Sequence, residues 1–472
     1  MSEHNSPSLK RNFAYKGLLT VATPIMGMIT FPYISRVLGV ENVGLVNFVD
    51  NTISYFLLFA SMGITNLGVR AIAAAKHSQD ELNKTFSNIF GLNIIFTAAV
   101  LAIYCTLIAV VPKFNSYSEL FYIGGAKILF TSLLIEWFFS GIENFKFITL
   151  RSLAVRLLYV ISIFLFIRDA EDYRLYFILT TSVTVVNAII NQSYSRKYVK
   201  IVPSELMSRR FLKENLDLGI YAIMTSMYLS FNVMYLGLVS DNTEVGYYTS
   251  AFKLYHLILS VFSAFTSVML PRMSSLAAIG DKERFNYLIN KSVDFVALVS
   301  IPLIVCCSIM APEIIYLLCG QGYEGAILPM RIIMPAILFV GIAQILALQI
   351  LMPLKKDKIL LYTSIAGAVL SVMINICAVS RLESIGSAIV MLSSEIIVTS
   401  IYLAYSARRH IAKIRFGAFV GPIFKTTPCV MICLICKCYI DNPYLSLIVA
   451  ACTCVLIYLS LNLKEFKSLT KK

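Results

Sequence analysis

Charge is what this chain has least of. Only 14% of its 472 residues are Asp, Glu, Lys or Arg, against about 25% in a soluble domain. At the same time 58% are hydrophobic and the mean hydropathy is +0.78. That balance excludes a soluble fold, and the apolar stretches leave no room for a sizeable soluble domain. Histidine is scarce too, with four in all. His4, His77 and His410 fall in tails or cytoplasmic loops, so no Ser/His/Asp set can be assembled, and His256 reads as a packing residue. There is no Walker A loop, which excludes a P-loop pump. No DxD stands at a membrane edge, since Asp169 to Asp172 has the wrong spacing, and no outer turn is long enough for a catalytic site. These absences argue against an enzyme. The polar stretch 1–12 leads into a long apolar segment without a small-residue cleavage site, which is expected to stay in the membrane.

Eleven Cys do not make a disulfide framework, because most lie inside apolar segments and six crowd the last 45 or so residues. Cys433 and Cys436 have a metal-like spacing but no second pair and no His nearby. The reading is buried, inert thiols and no metal. The net charge of +14 invites a nucleic-acid partner, but its distribution answers otherwise. Lys and Arg gather in the segments on the N-terminal side of the membrane and are sparse in the alternate turns. That is the positive-inside asymmetry, and it predicts cytoplasmic N- and C-termini.

Tested against the ~20 apolar residues that a span needs, the chain reads as an all-α polytopic membrane protein of about fourteen helices. Six are expected at 13–38, 45–69, 84–111, 118–140, 148–167 and 173–195, forming an N-terminal bundle over 1–195. A basic cytoplasmic linker follows at 196–213. Six more are expected at 214–240, 246–271, 285–318, 325–353, 359–380 and 385–407, forming a second bundle over 214–410. Two extra helices, 416–440 and 443–463, and a basic tail complete 411–472. Pro24, Pro32, Pro302, Pro312, Pro329 and Pro335 lie in the apolar stretches and predict bends, notably in the first and tenth helices.

The two bundles echo one another. An offset of about 202 places Val43-Gly44 on Val245-Gly246, Arg70 on Arg272 and Asn88 on Asn290. An offset of about 212 places Trp137 to Phe147 on Gln349 to Ile359, which implies an insertion around Cys306 to Gly320. Six spans separate the copies, so the repeat is parallel, about an axis along the membrane normal. Duplicated halves around a central cavity are a recurring plan of membrane transporters.

Ionisable side chains inside spans are the most informative residues, since each costs about 2.5–3.5 kcal/mol unless it finds a cavity or partner. By depth, Arg36, Asp50, Lys253 and Arg331 belong to the outer third, Lys127, Asp294 and Glu395 to the middle, and Glu136 and Arg156 to the inner third. The basic members predict a net-cationic cavity for an anionic head group such as a pyrophosphate. The acids Asp50, Glu136, Asp294 and Glu395 are candidates for a coupling Na⁺ or H⁺, or counter-ions. Internal pairs such as Arg36–Asp50 are the structural alternative.

Four blocks carry a family resemblance: Phe31 to Asn47, Gly63 to Arg70, Glu136 to Phe147 and Gly320 to Pro335. Through them the chain resembles the bacterial O-antigen/polysaccharide flippases (Wzx-type) of the multidrug/oligosaccharidyl-lipid/polysaccharide (MOP) exporter superfamily, over roughly residues 10 to 410. The last two helices carry no motif of that kind. The resemblance implies a V-shaped two-bundle fold in the bacterial inner membrane. It implies a flippase that moves an undecaprenyl-pyrophosphate-linked oligosaccharide to the outer leaflet by alternating access. The expected partners are that lipid-linked substrate, membrane lipids and other polysaccharide-assembly proteins, with the chain itself a monomer. On this reading Arg36, Lys253 and Arg331 lead the substrate-binding set, with Lys127 and Arg156 behind them, and Asp50 leads the coupling acids. A drug or organic-cation antiporter of the same superfamily, a lipid II flippase, and a membrane polymerase or acyltransferase are the alternatives.

Overall fold

The computed structural model describes residues 9–409, 411, 415–463 and 465, with backbone only at 9–14, 16, 21, 217, 221, 222, 224–230, 357 and 416. The extreme N-terminus, His4, His410 and most of the basic C-terminal tail lie outside the described residues. The described chain is helical throughout, and eleven of its helical stretches are long and apolar enough to cross a membrane. Contacts divide it into two compact units, Met1–Ser226 and Met227–Lys472.

The first unit opens with α1 (Leu9–Ser61), whose 53 residues are broken at Gly39 with φ 74° and ψ 169°. Only glycine holds that backbone region without strain, so the turn expected from Gly39 to Gly44 is one sharp residue followed at once by helix. Then come α2 (Ile64–Ala75), α3 (Gln79–Val110), the short α4 (Pro112–Ser116), α5 (Ser118–Leu134), α6 (Glu136–Gly141), α7 (Phe145–Phe166) and α8 (Tyr173–Ser195). The second expected helix therefore stops at Ser61, with Met62 at φ 40° and Gly63 turning the chain into α2. The fourth is interrupted by Ile135 in a left-handed conformation, φ 38° and ψ 32°.

Lipid tails are as apolar as leucine, so the unit is held by shape and internal hydrogen bonds more than by water exclusion. Phe86, Trp137, Phe138 and Phe139 are buried together, with the rings of Phe86 and Phe138 edge-to-face at 5.2 Å. Gly68 lets Trp137 lie against α2, since a Cβ there would stand 2.6 Å from the indole. Large apolar side chains left exposed, such as Ile103, Leu158 and Phe166, face where lipid would be. The basic linker is folded and docked on α3: Val202 N donates to Ser87 Oγ at 2.8 Å and Arg210 pairs with Glu81 at 3.2 Å.

The unit boundary falls within α9 (Leu212–Val239). The second unit continues with α10 (Asn242–Ile279), α11 (Lys282–Ile309), α12 (Ala311–Cys319), α13 (Ile327–Ile333) and α14 (Ala336–Gln344). A π-helical turn at Ile345–Leu351 and α15 (Asp357–Ile374) follow, then a second π turn at Asn375–Val379. It closes with α16 (Ser380–Arg408), α17 (Val420–Tyr439) and α18 (Pro443–Leu461). The expected ninth helix is thus divided at Met310, where Pro312 starts α12 rather than bending a longer helix. The turn between the eleventh and twelfth is a single residue, Glu383, at φ 51° and ψ −123°.

Two pairs of contacts at positions 202 residues apart can be compared between the units. Asn42 Nδ2 donates to Ala170 O at 2.8 Å in the first, and Ser384 N donates to Glu244 Oε2 at 3.1 Å in the second. Asn88 Nδ2 donates to Glu205 O and Ser208 O, at 3.1 and 2.6 Å. Asn290 Oδ1 accepts from Arg415 N at 3.0 Å. Each of these asparagines clasps the segment that follows its own block of helices.

Candidate functional site

In the first unit, the break at Gly39 sends α1 back so that Asp50 faces α5. There it ion-pairs with Lys127, whose side chain is 9% exposed, and the Lys127 ammonium stands 5.0 Å from the Phe177 ring of α8. A lysine this deep in an apolar helix needs a counter-charge, and Asp50 is it. Arg36 is exposed and its Nη1 donates to Pro32 O at 3.0 Å.

Below this pair, the left-handed Ile135 starts α6 at Glu136, and Glu136 meets Arg151 of α7 at 2.5 Å. The Arg151 side chain is 4% exposed. It also reaches Ser152 Oγ at 2.7 Å and lies 5.9 Å from the Phe147 ring. Sequence reasoning passed over Arg151, because an arginine so near a helix start is ordinarily taken to snorkel outward. Arg156, which it did single out, is half-buried further along α7.

The second unit treats polarity differently. Glu395 of α16 is buried, and among the described residues nothing hydrogen-bonds or ion-pairs with its carboxyl. Arg331 of α13 is exposed, with Nε on Ser308 O at 3.0 Å, and its two Nη groups have no partner among the described residues. Lys253 of α10 is half-buried. Asp294 of α11 is half-buried. It lines a cavity of about 230 Å³ with Lys425, Asn462 and Glu465 of the C-terminal segment, where Lys425 and Glu465 pair.

Neutral groups fill the rest. Asn375, in the second π turn, donates from Nδ2 to Asn232 Oδ1 at 2.7 Å, and Asn232 Nδ2 reaches Tyr248 OH at 3.4 Å. Gln349, in the first π turn, accepts from Ser292 Oγ at 2.7 Å. These residues were invisible to a search for charge. The signal that could have found them is an uncharged amide repeated in the middle of apolar helices.

The comparisons agree with this architecture. A family model described as "Polysaccharide biosynthesis protein" matches residues 9–277, more than half of the chain. A protein of Escherichia coli (strain K12) named "Putative O-antigen transporter" is 24% identical over 404 residues, covering 85% of this chain and 97% of its own length. A protein of Shigella dysenteriae with the same name is also 24% identical, covering 83% and 98%. Among solved structures, the lipid II flippase MurJ in an inward closed conformation superposes with a TM-score of 0.80 at 15% identity, over 96% of this chain and 99% of its own. An inward-facing multidrug resistance MATE family transporter of the MOP superfamily gives 0.61 at 15% identity, over 83% and 97%. Those two show the fold. The chain belongs to the family described as "Polysaccharide biosynthesis protein" and is a multi-pass membrane protein with the fold of those two transporters.

Proposed function

We propose that the protein flips an undecaprenyl-pyrophosphate-linked oligosaccharide, an O-antigen or other surface polysaccharide repeat unit, from the cytoplasmic to the outer leaflet of the bacterial inner membrane. The observation that carries the reading is Arg331. It is an exposed guanidinium within an apolar helical stretch, both its Nη groups unengaged among the described residues, in a chain whose near full-length relatives are named as O-antigen transporters. A fork of that kind suits the paired oxygens of a pyrophosphate. Arg36, Lys253 and Arg156 would add positive charge along the path of the head group.

The proposed architecture is fourteen spans in two six-helix blocks related by a parallel repeat, plus α17 and α18. The non-helical residues Gly39 and Glu383 support it, because each divides a helical stretch long enough for two spans. So do the matching contacts of Asn42 and Glu244 and of Asn88 and Asn290. Both termini would be cytoplasmic, and one copy would suffice for transport. For coupling, a proton or Na⁺ at Asp50 would release Lys127 to the substrate, while Glu395 would take up a proton inside the second unit. Asp294 and Glu136 would then serve as local counter-charges.

The test is made on a deletion strain, by extracting lipid-linked oligosaccharides and labelling those exposed outside. Cytoplasmic-side accumulation of undecaprenyl-linked repeat units, with surface polysaccharide lost, is expected, and Arg331→Ala should fail to restore export although it inserts normally. Normal surface glycan with a new drug sensitivity would replace this reading by the antiporter. Accumulated peptidoglycan precursor would replace it by the lipid II flippase.

A further inference from the structure

The fold assembles a group of thiols that no spacing in the sequence announces. Cys306 of α11, Cys433 of α17 and Cys454 of α18 hold their sulfurs all within 4.8 Å of one another. The Cys433 and Cys454 sulfurs are 3.8 Å apart. With metal–sulfur bonds of about 2.3 Å, two sulfurs on one ion stand roughly 4 Å apart, so the triad needs little adjustment to close on a metal. Cys433 and Cys454 are 1% and 7% exposed, and the thioether residue Met310, 2% exposed, packs in the same cluster.

We infer that Cys306, Cys433 and Cys454 form a three-sulfur site for a soft monovalent metal ion, Cu(I). The donor set decides between the thiophilic ions. Soft thiolate and thioether ligands select Cu(I) or zinc, but structural zinc takes four ligands, and among the described residues no fourth His, Cys, Asp or Glu joins the three. Glu313 is held through Oε1 by Lys437 at 3.7 Å and is not among the three converging ligands. A singly charged ion also needs fewer deprotonated thiols for neutrality, which matters in an apolar surrounding. Each thiol that binds as thiolate gives up its proton to solvent as the metal enters. The bound ion would staple α17 and α18 to α11, fastening the two helices that lie outside the repeat. This inference is independent of the transport reading.

The test uses the full-length protein in lipid nanodiscs, stripped of metal and titrated anaerobically with Cu(I) against bicinchoninate. One Cu(I) per chain is expected, with an all-sulfur shell by X-ray absorption and a higher unfolding temperature. Cys306→Ser, Cys433→Ser and Cys454→Ser should each weaken binding at least tenfold. Cys429→Ser and Cys436→Ser, buried in the same cluster but outside the triad, should leave it unchanged. Because a buried hydroxyl can destabilise the fold, Cu(I) protection of the wild-type thiols from a membrane-permeant maleimide gives a second readout. Retained binding in the triple variant, absence of protection, or Zn(II) binding with a fourth oxygen ligand in preference to Cu(I) would overturn the assignment.

Discussion

The two units differ in how they handle polarity. The first buries cations against half-exposed carboxylates, Lys127 with Asp50 and Arg151 with Glu136. The second pairs Glu313 with Lys437 and Lys425 with Glu465, but at Asn232, Asn375 and Gln349 it uses neutral amides, and among the described residues nothing partners the buried carboxyl of Glu395. The contrast extends to the backbone. Toward the end of the expected fourth helix the first unit places a left-handed residue, Ile135, whereas the second, about 212 residues on, places the π turn Ile345–Leu351. Both devices interrupt the helix where polar side chains collect, and π turns commonly mark functional positions. A paired charge is strongly committed to one arrangement, because separating the pair exposes an uncompensated ion. An amide network has less to lose, and so it can rearrange at lower cost.

That difference can be broken most forcefully at Glu136. Glu136→Gln leaves Arg151 buried without a counter-charge and should cost about 3–5 kcal/mol, toward the lower end because the Glu136 side chain is half exposed. Thermal unfolding in detergent would measure it, and adding Arg151→Met should recover much of the loss. Next, Asp50→Asn strands Lys127 over the Phe177 ring, with an expected loss of about 2–3 kcal/mol. Export of lipid-linked glycan should fall further than stability alone explains, and wild-type export would remove Asp50 from the coupling role.

The entry turns sharpen the comparison at a smaller scale. Gly39→Ala forces a side chain into a glycine-only region, at about 1–3 kcal/mol. At the corresponding place in the second unit Asp241 caps α10 through Glu244 N at 2.9 Å, so Asp241→Ala should cost only about 1 kcal/mol. Smaller again on the neutral side, Asn375→Ala should lose about 1 kcal/mol, well below Glu136→Gln. A cost equal to that of the charged pairs would erase the distinction between the units. Least of all, Lys84→Gln removes an exposed pair with Asp80 and should leave the unfolding temperature essentially unchanged.

Much of this was legible in the sequence, for a physical reason. Hydropathy marks the apolar stretches, eleven of which are helices long enough to cross a membrane, and the offset of about 202 pairs Asn88 with Asn290, which bond the backbone of later segments, one as donor and the other as acceptor. Depth does not give rotation about a helix axis. Arg36 and Asp50 are both in the outer third, yet Asp50 turns to Lys127, a residue placed in the middle. The same blindness hid Arg151, and it hid the approach of Cys306 to Cys433, since the obvious spacing was Cys433 with Cys436. Asp294 has the right depth for a coupling acid but opens on the cavity against α17.

The asparagine clasps bear finally on descent. A segment that is copied together with its clasp brings a ready-made mooring for whatever chain comes after it. After the first block the moored chain is the linker to α9. After the second it is the run through Arg415 into α17. On the proposed duplication, two additional helices could be appended without redesigning the block they lean on, because the place to tie them would already be present.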